Sequence, residues 1–311
     1  MSFSGEVKEE LSVHLSSPRH CQIAELSAII MMCGKIFRSA GGRMEIKVQT
    51  ENLAVARKYF TLLKKTFNIY TDVCVRMNKS GSGTRIYLLV VRGCEDVEKM
   101  IQALKLHRMG SNISSLLTGK SCCKRAFIRG AFLAAGSISD PEKFYHFEIV
   151  CDTQQQASEI QSMINSFEID SKIVPRKKYY VVYIKEGAQI VDMLNIMEAH
   201  VSLMKLENLR IVKEMRNSVN RRVNCETANI NKTVSAAVKQ LDDIRYIESR
   251  NGFANLSESL VEMAELRLHH PDATLKELGE MADPPVGKSG VNHRLRKLSE
   301  YAEKMRGYER I

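Results

Sequence analysis

Two apolar helical segments of the chain end in the same way, 102 residues apart. Leu26-Ser-Ala-Ile-Ile-Met-Met-Cys-Gly34 runs into Lys35-Ile36-Phe37, and Ile128-Arg-Gly-Ala-Phe-Leu-Ala-Ala-Gly136 runs into Ser137-Ile138. The residues after each segment match as well. Glu45–Thr50 and Phe147–Thr153 read as strands ending in Thr. Each leads into a helix with apolar positions at 3–4 spacing: Leu53, Ala56, Phe60, Leu63 and Phe67 in one copy, Ala157, Ile160, Met163, Ile164 and Phe167 in the other. Strand pairs are predicted at Thr71–Met77 with Thr84–Val91, and at Ser171–Pro175 with Tyr179–Ile184. Closing helices are predicted at Cys94–Leu104 and Ala188–Met197. Each half therefore reads helix, strand, helix, hairpin, helix, with a fourth strand undefined. A unit of roughly 100 residues is too long for a solenoid repeat. It suits two α/β halves packed about a pseudo-two-fold axis, with small residues letting the two apolar helices approach closely.

The 311 residues exceed what such a pair needs, and a prior of ~150 residues per domain gives about two domains. The apolar fraction of 44% and charged fraction of 26% exclude disordered and collagen-like chains. No run approaches the ~18–20 apolar residues of a membrane span. The polar, acidic start has no secretory character, so the cytosol is the expected compartment. A formal charge of +10 favours a polyanionic partner, weakly. None of the eight cysteines forms a Cys-x-x-Cys pair. Cys122 and Cys123 are adjacent, which argues against ordinary zinc or disulfide geometry, so reduced thiols and no metal are expected.

The duplicated pattern resembles the LAGLIDADG homing-endonuclease fold, in which two such helices lie between the half-domains. That resemblance implies a metal-binding acidic residue just before each motif glycine. Those positions are Cys33 and Ala135 here, and the preceding acidic positions are Met31 and Leu133. A hard Mg²⁺ ion needs carboxylate oxygens; neither copy has one, so no nuclease activity, no catalytic residue and no cofactor are expected. His14, His20, His107, His146 and His200 read as isolated. Lys79-Ser-Gly-Ser-Gly-Thr-Arg85 reads as a hairpin turn rather than a phosphate loop, since it lies between strands. The basic turn Arg176-Lys177-Lys178 reads as a second hairpin tip.

The remainder is all helical. A helix is predicted around 199–217. Ser218–Glu226 then loses its apolar period and reads as a basic linker, flexible or ordered by nucleic acid. The predicted organisation is 1–217 for the duplicated domain, with half-repeats at about 20–105 and 122–217, then a linker at 218–226 and a helical domain at 227–311. Helices are predicted at 227–249 and 256–269, the latter ending at His269-His270. A short one starts from Thr274, with Glu277 completing a capping box. The last starts near Ser289 as N-cap, with Val291, Leu295, Leu298, Ala302 and Met305 inward. A short helix, a break and a longer helix is the helix-turn-helix order. The polar face of the last helix offers Asn292, His293, Arg294 and Arg296 as base readers. Lys288, Ser289 and Lys297, with Thr274 and Lys276 from the preceding helix, are expected to hold phosphates. Residues 287–311 carry seven basic and three acidic side chains, whereas 251–286 carry two and seven, a charge asymmetry that orients a basic face.

Leu275–Gly279, Pro284-Pro285-Val286 and Lys288–Leu298 resemble the C-terminal motif of the WhiA family of sporulation and cell-division regulators. Ser4–Leu11 and Arg125–Ser137 are similar to the same family. The resemblance implies an α+β fold: a degenerate, non-cleaving LAGLIDADG-like domain followed by a helix-turn-helix domain like region 4 of sigma factors. It implies a double-stranded-DNA partner, a nucleoid location, and roles in transcription, cell division and chromosome segregation. A transcription or cell-division protein is the expected second partner. The competing readings are a protein-binding scaffold built on the duplicated domain and, from another class, an active DNA endonuclease.

Overall fold

The computed structural model describes residues 2–38, 44–77, 85–106 and 113–308. The chain divides into two compact units, Met1–Lys213 and Glu214–Ile311.

The first unit contains the duplication. After α1 (Phe3–Val13), the first half comprises α2 (Arg19–Cys33), β1 (Gly34–Arg38), β2 (Met44–Thr50), α3 (Leu53–Phe67), β3 (Asp72–Met77), β4 (Arg85–Arg92) and α4 (Cys94–Ala103). After the short α5 (Ser115–Thr118), the second half repeats the order. It has α6 (Ser121–Ala135), β5 (Gly136–Ile138), β6 (Phe147–Cys151), α7 (Gln154–Asn165), β7 (Lys172–Arg176), β8 (Tyr179–Ile184) and α8 (Gly187–Met197). Each half has one antiparallel sheet, ordered β1-β2-β4-β3 and β5-β6-β8-β7. The strand undefined in the sequence is the one that starts on the motif glycine, pairing Gly34 with Val48 and Gly136 with Ile149.

The helices α2 and α6 are apolar on more than one side because each serves two interfaces. On α2, Leu26, Ile29 and Ile30 enter the core of the first half. Cys21, Ala24 and Ala28 join the core of the second half, beside Phe127, Ala131 and Phe132 of α6. The two helices touch closely at Gly130. A Cβ there would lie 2.4 Å from the Glu25 carbonyl oxygen and 2.9 Å from the Ala28 Cβ, so only glycine allows this approach.

A buried charge network crosses the same interface. Arg129 of α6, Glu25 of α2 and Lys58 of α3 are almost fully buried. Glu25 accepts from Arg129 and lies 3.0 Å from Lys58. Arg129 also donates to Glu198, to Ser16 Oγ at 2.6 Å and to the Met197 carbonyl at 3.3 Å. Lys58 donates to the carbonyls of Leu11 and His14. Each cation thus has an anion and backbone acceptors, the condition under which buried charge is tolerated.

Residues 218–226 are not the linker that their sequence suggests. Instead α9 runs unbroken from His200 to Asn251. It contains no Gly or Pro to stop it. Its apolar positions Met215, Val219, Val223, Ile230, Val234 and Val238 are exposed, so the period is weak for lack of a packed face rather than for lack of a helix.

The second unit packs the end of α9 against α10 (Glu258–His269), α11 (Leu275–Met281) and α12 (Lys288–Tyr308). Its core is Ile244, Ile247, Met263, Ala264, Leu278, Ala282, Val291, Leu295, Leu298 and Ala302. Among the described residues no helix is long and apolar enough to cross a membrane.

Candidate nucleic-acid interface

The helix-turn-helix is made by α11, the turn 282–287 and α12. Thr274 caps α11: its hydroxyl accepts from the Glu277 N–H at 3.3 Å, and the Glu277 carboxylate accepts from the Thr274 N–H at 2.7 Å. The Thr274 N–H, and after it the Thr274 side chain, hold the Glu277 carboxyl below its usual value. The turn folds back on α11 through Val286 N–H, which donates to the Gly279 carbonyl at 2.8 Å. Gly279 is required here, because a Cβ would sit 2.1 Å from the Val286 carbonyl oxygen. The N-cap of α12 is Gly287, not Ser289: Val291 N–H already donates to the Gly287 carbonyl at 3.1 Å. Ser289 therefore stands in the first turn of the helix, exposed.

With Val291, Leu295, Leu298 and Ala302 inward, the helical period turns Ser289, His293, Arg296 and Lys297 to the opposite side and Asn292 to its flank. Lys288 falls on the inward arc but stands at the first residue of the helix, and all six are exposed. These side chains can donate to guanine O6/N7, pair with adenine N6/N7 or contact phosphate oxygens. Arg296 is held along the helix by Glu300, Nε to Oε1 2.9 Å, which keeps the Glu300 carboxyl below its usual value. From α11, Lys276 is exposed and lies 3.6 Å from Glu280. Thr274 and Asn292 line one cleft of about 400 Å³ together with Arg267, Leu241 and Leu275.

Arg294 departs from the expected set. Its side chain is only 20% exposed and donates to Glu262 Oε2 at 3.2 Å. The other oxygen of Glu262 accepts the Asp283 N–H at 2.6 Å. Position 294 flanks the inward stripe, so Arg294 and Glu262 join α12 and the turn to α10. Sequence reasoning misses Glu262; its one signal is an acid on the helix preceding a basic recognition segment. Thr274 is also partly committed. Its N–H is taken by the Glu277 carboxylate, and its hydroxyl is engaged by the same residue.

Arg267 steadies the segment before α11. It is 3% exposed and donates to the carbonyls of Pro271 at 3.3 Å and Ala273 at 2.7 Å. Burial lowers its pKa. His269 ends α10, with Nδ1 2.8 Å from the Glu265 carbonyl oxygen.

In the first unit, Cys33 is the last residue of α2 and donates to the Ile29 carbonyl at 3.2 Å. Burial pushes its thiol up to about 12. Lys8 of α1 is close enough to interact electrostatically with it, and burial pushes that amine down to about 8. Ala135, the equivalent end of α6, has no ligating side-chain atom. His14 and His146 are not isolated but lie 2.7 Å from Glu198 and 3.3 Å from Glu148. His20 and the Cys122–Cys123 pair, unconnected in the sequence, are neighbours: His20 Nδ1 is 3.1 Å from Cys123 Sγ. His107 and residues 79–84 of the glycine-rich turn lie outside the described residues.

Three family models match the chain: the WhiA N-terminal LAGLIDADG-like domain over 19–107, the WhiA LAGLIDADG-like domain over 124–216 and the WhiA C-terminal HTH domain over 219–302. A relative from Lachnoclostridium phytofermentans, named "Probable cell division protein WhiA", is 57% identical over 98% of this chain and 100% of its own length. One of the same name from Alkaliphilus oremlandii is 50% identical over 98% of each. The crystal structure of full-length DUF199/WhiA from Thermotoga maritima superposes with a TM-score of 0.62 at 24% identity, covering 98% of this chain and 99% of that one. That likeness supports a duplicated LAGLIDADG-like domain followed by a helical HTH domain.

Proposed function

Because the chain belongs to the WhiA family, we propose that it is a sequence-specific double-stranded-DNA-binding protein that does not cleave its target and that acts in transcription regulation and in cell division and chromosome segregation. The observation that carries this reading is the exposed polar set of α12, in which Asn292, His293, Arg296, Ser289 and Lys297 are joined by Lys288 at the start of the helix. Asn292, His293 and Arg296 read base edges in the major groove. Lys288, Ser289, Lys297 and Lys276 hold phosphates. Arg294 is a positioning residue that acts through Glu262. A nucleoid location follows from the DNA partner, and a second, protein partner falls to the duplicated domain.

The non-cleaving reading is supported by donor chemistry. The two motif ends offer a protonated thiol and a methyl group, with the Lys8 amine near the thiol. Neither end can supply the oxygen ligands that a hard divalent cation requires. The name of the relatives, a cell division protein, supports the cellular role.

The test is chromatin immunoprecipitation of the native protein beside the Arg296→Ala, Lys297→Ala variant, with the recovered sites incubated with purified protein and Mg²⁺. Discrete sites lost in the variant and left uncut are the expected result. Recovery that ignores the variant removes α12 from its role, and cleavage overturns the non-catalytic reading. A steep salt dependence of binding separates a phosphate-neutralising protein from a protein-only scaffold.

A further inference from the structure

The amino ends of α2 and α6 bring four metal-ligating side chains together. His20 and Cys21 lie in the first turn of α2, and Cys122 and Cys123 in the first turn of α6. Each pair holds the same place in its half: the 102-residue offset between the motif glycines carries position 20 onto 122 and 21 onto 123. The pseudo-two-fold packing of the helices turns two adjacent pairs, each useless alone, into one convergent set. His20 Nδ1 is 3.1 Å from Cys123 Sγ and 3.3 Å from Cys21 Sγ. All four ligand atoms lie within 4.8 Å of one another.

We propose that His20 Nδ1 and the sulfurs of Cys21, Cys122 and Cys123 form a Cys₃His site for a soft divalent cation, zinc, that staples the two halves of the first unit together. Tetrahedral zinc, with Zn–S of about 2.3 Å and Zn–N of about 2.0 Å, places its ligands roughly 3.5–3.8 Å apart. The set reaches that spacing through shifts of about an ångström or less. Three sulfurs and an imidazole select zinc over magnesium or calcium, which take oxygen. Cys21 and Cys123 are buried while His20 and Cys122 are exposed, so the inner half of the site is dry and the outer half admits the ion. Three thiolates with Zn²⁺ leave one net negative charge. Two helix amino ends, with their partial positive charge, and Lys120 beside Cys123 face it. Adjacent ligands are accommodated because the two residues of each pair do not have to face one another; they face the partner helix.

The test uses the untagged full-length protein purified under reducing conditions without chelator. Metal content is read by elemental mass spectrometry, and the site is then probed with Zn²⁺ and Co²⁺ alone. About one zinc per chain is expected, together with a tetrahedral, thiolate-type cobalt spectrum and a higher thermal midpoint with zinc. Cys122→Ser changes an exposed side chain and should fold; it should lose the retained zinc, the cobalt spectrum and the zinc-dependent rise in midpoint. The control Cys94→Ser, Cys225→Ser, which alters two exposed cysteines elsewhere, should keep all three. The proposal is overturned by folded wild-type protein that holds no zinc and gives no such cobalt spectrum. It is equally overturned by a Cys122→Ser protein with unchanged metal content, or by a disulfide among Cys21, Cys122 and Cys123 in the reduced preparation.

Discussion

Arg129 and Glu25 face each other across the α2–α6 interface as a two-point pair, Nε to Oε1 3.1 Å and Nη2 to Oε2 3.3 Å, with 1% and 0% of the side chains exposed. Glu25 is also the acceptor for Lys58, so one buried carboxylate serves two buried cations. Removing it is worse than removing either cation. Glu25→Gln should destabilise the first unit by about 3–5 kcal/mol, the cost of stranding a buried charge. Arg129→Met should cost less, because Lys58 still neutralises Glu25. Urea unfolding of both variants checks the order; an Arg129→Met protein weaker than Glu25→Gln would contradict the account.

Arg294 and Arg296 lie two residues apart and should separate cleanly. Arg296→Ala removes an exposed side chain, so it should leave thermal stability unchanged while weakening specific DNA binding by about 1–3 kcal/mol. Arg294→Ala breaks the contact to Glu262, so it should lower the unfolding midpoint of the helix-turn-helix unit as well. Calorimetry alongside gel-shift titration distinguishes them.

Gly279→Ala forces the turn away from α11, since its Cβ would meet the Val286 carbonyl at 2.1 Å. A cost of about 1–3 kcal/mol is expected, with loss of DNA affinity and an unchanged first unit. Hydrogen exchange should report faster amide exchange at Val286 and in the first turn of α12.

Lys297→Ala should behave differently from any base-reading change. Its loss should weaken binding to all sequences about equally and reduce the salt slope by about 1. A change in sequence preference would move Lys297 from the phosphates to the bases.

Alkaline pH should act on Cys151, whose thiol is pushed from its ordinary 9.0 up to about 12 by burial and then by Asp152. The folded chain keeps a proton that the unfolded chain gives up above pH 9.0. The stabilisation is therefore fully present below about pH 9 and declines as the pH rises toward about 12. Cys151→Ala should lose less stability than the native chain between about pH 9 and 11, as read from denaturant midpoints at each pH.

The duplication is legible in the sequence because Gly34 and Gly136 mark equivalent places in two long periodic patterns. The strands that start on them are not, since three to five residues carry too little period to declare themselves. The 218–226 segment reads falsely as a linker because an exposed helix needs no apolar stripe; the missing Gly and Pro are the better signal. On α12 the spacing places Val291, Leu295, Leu298 and Ala302 inward and sets position 294 beside that stripe. It does not reveal the partner that Arg294 meets there, because Glu262 is supplied by α10. The His20, Cys21, Cys122 and Cys123 cluster escapes because spacing within a segment says nothing about ligands shared between two.

Glu25 and Arg129 occupy places whose counterparts in the other half are Phe127 and Ser27, by the same 102-residue offset. The complementarity of the interface is therefore one-sided. A chain built from two copies of the first half would bury two glutamate–lysine pairs and no arginine. One built from two second halves would bury two arginines with no Glu25 to meet them. Neither half can stand in for the other, nor can either self-associate to regenerate the pair. The internal symmetry that shaped the fold has become a division of labour between two non-interchangeable parts, and in this chain that change cannot be undone by a single substitution.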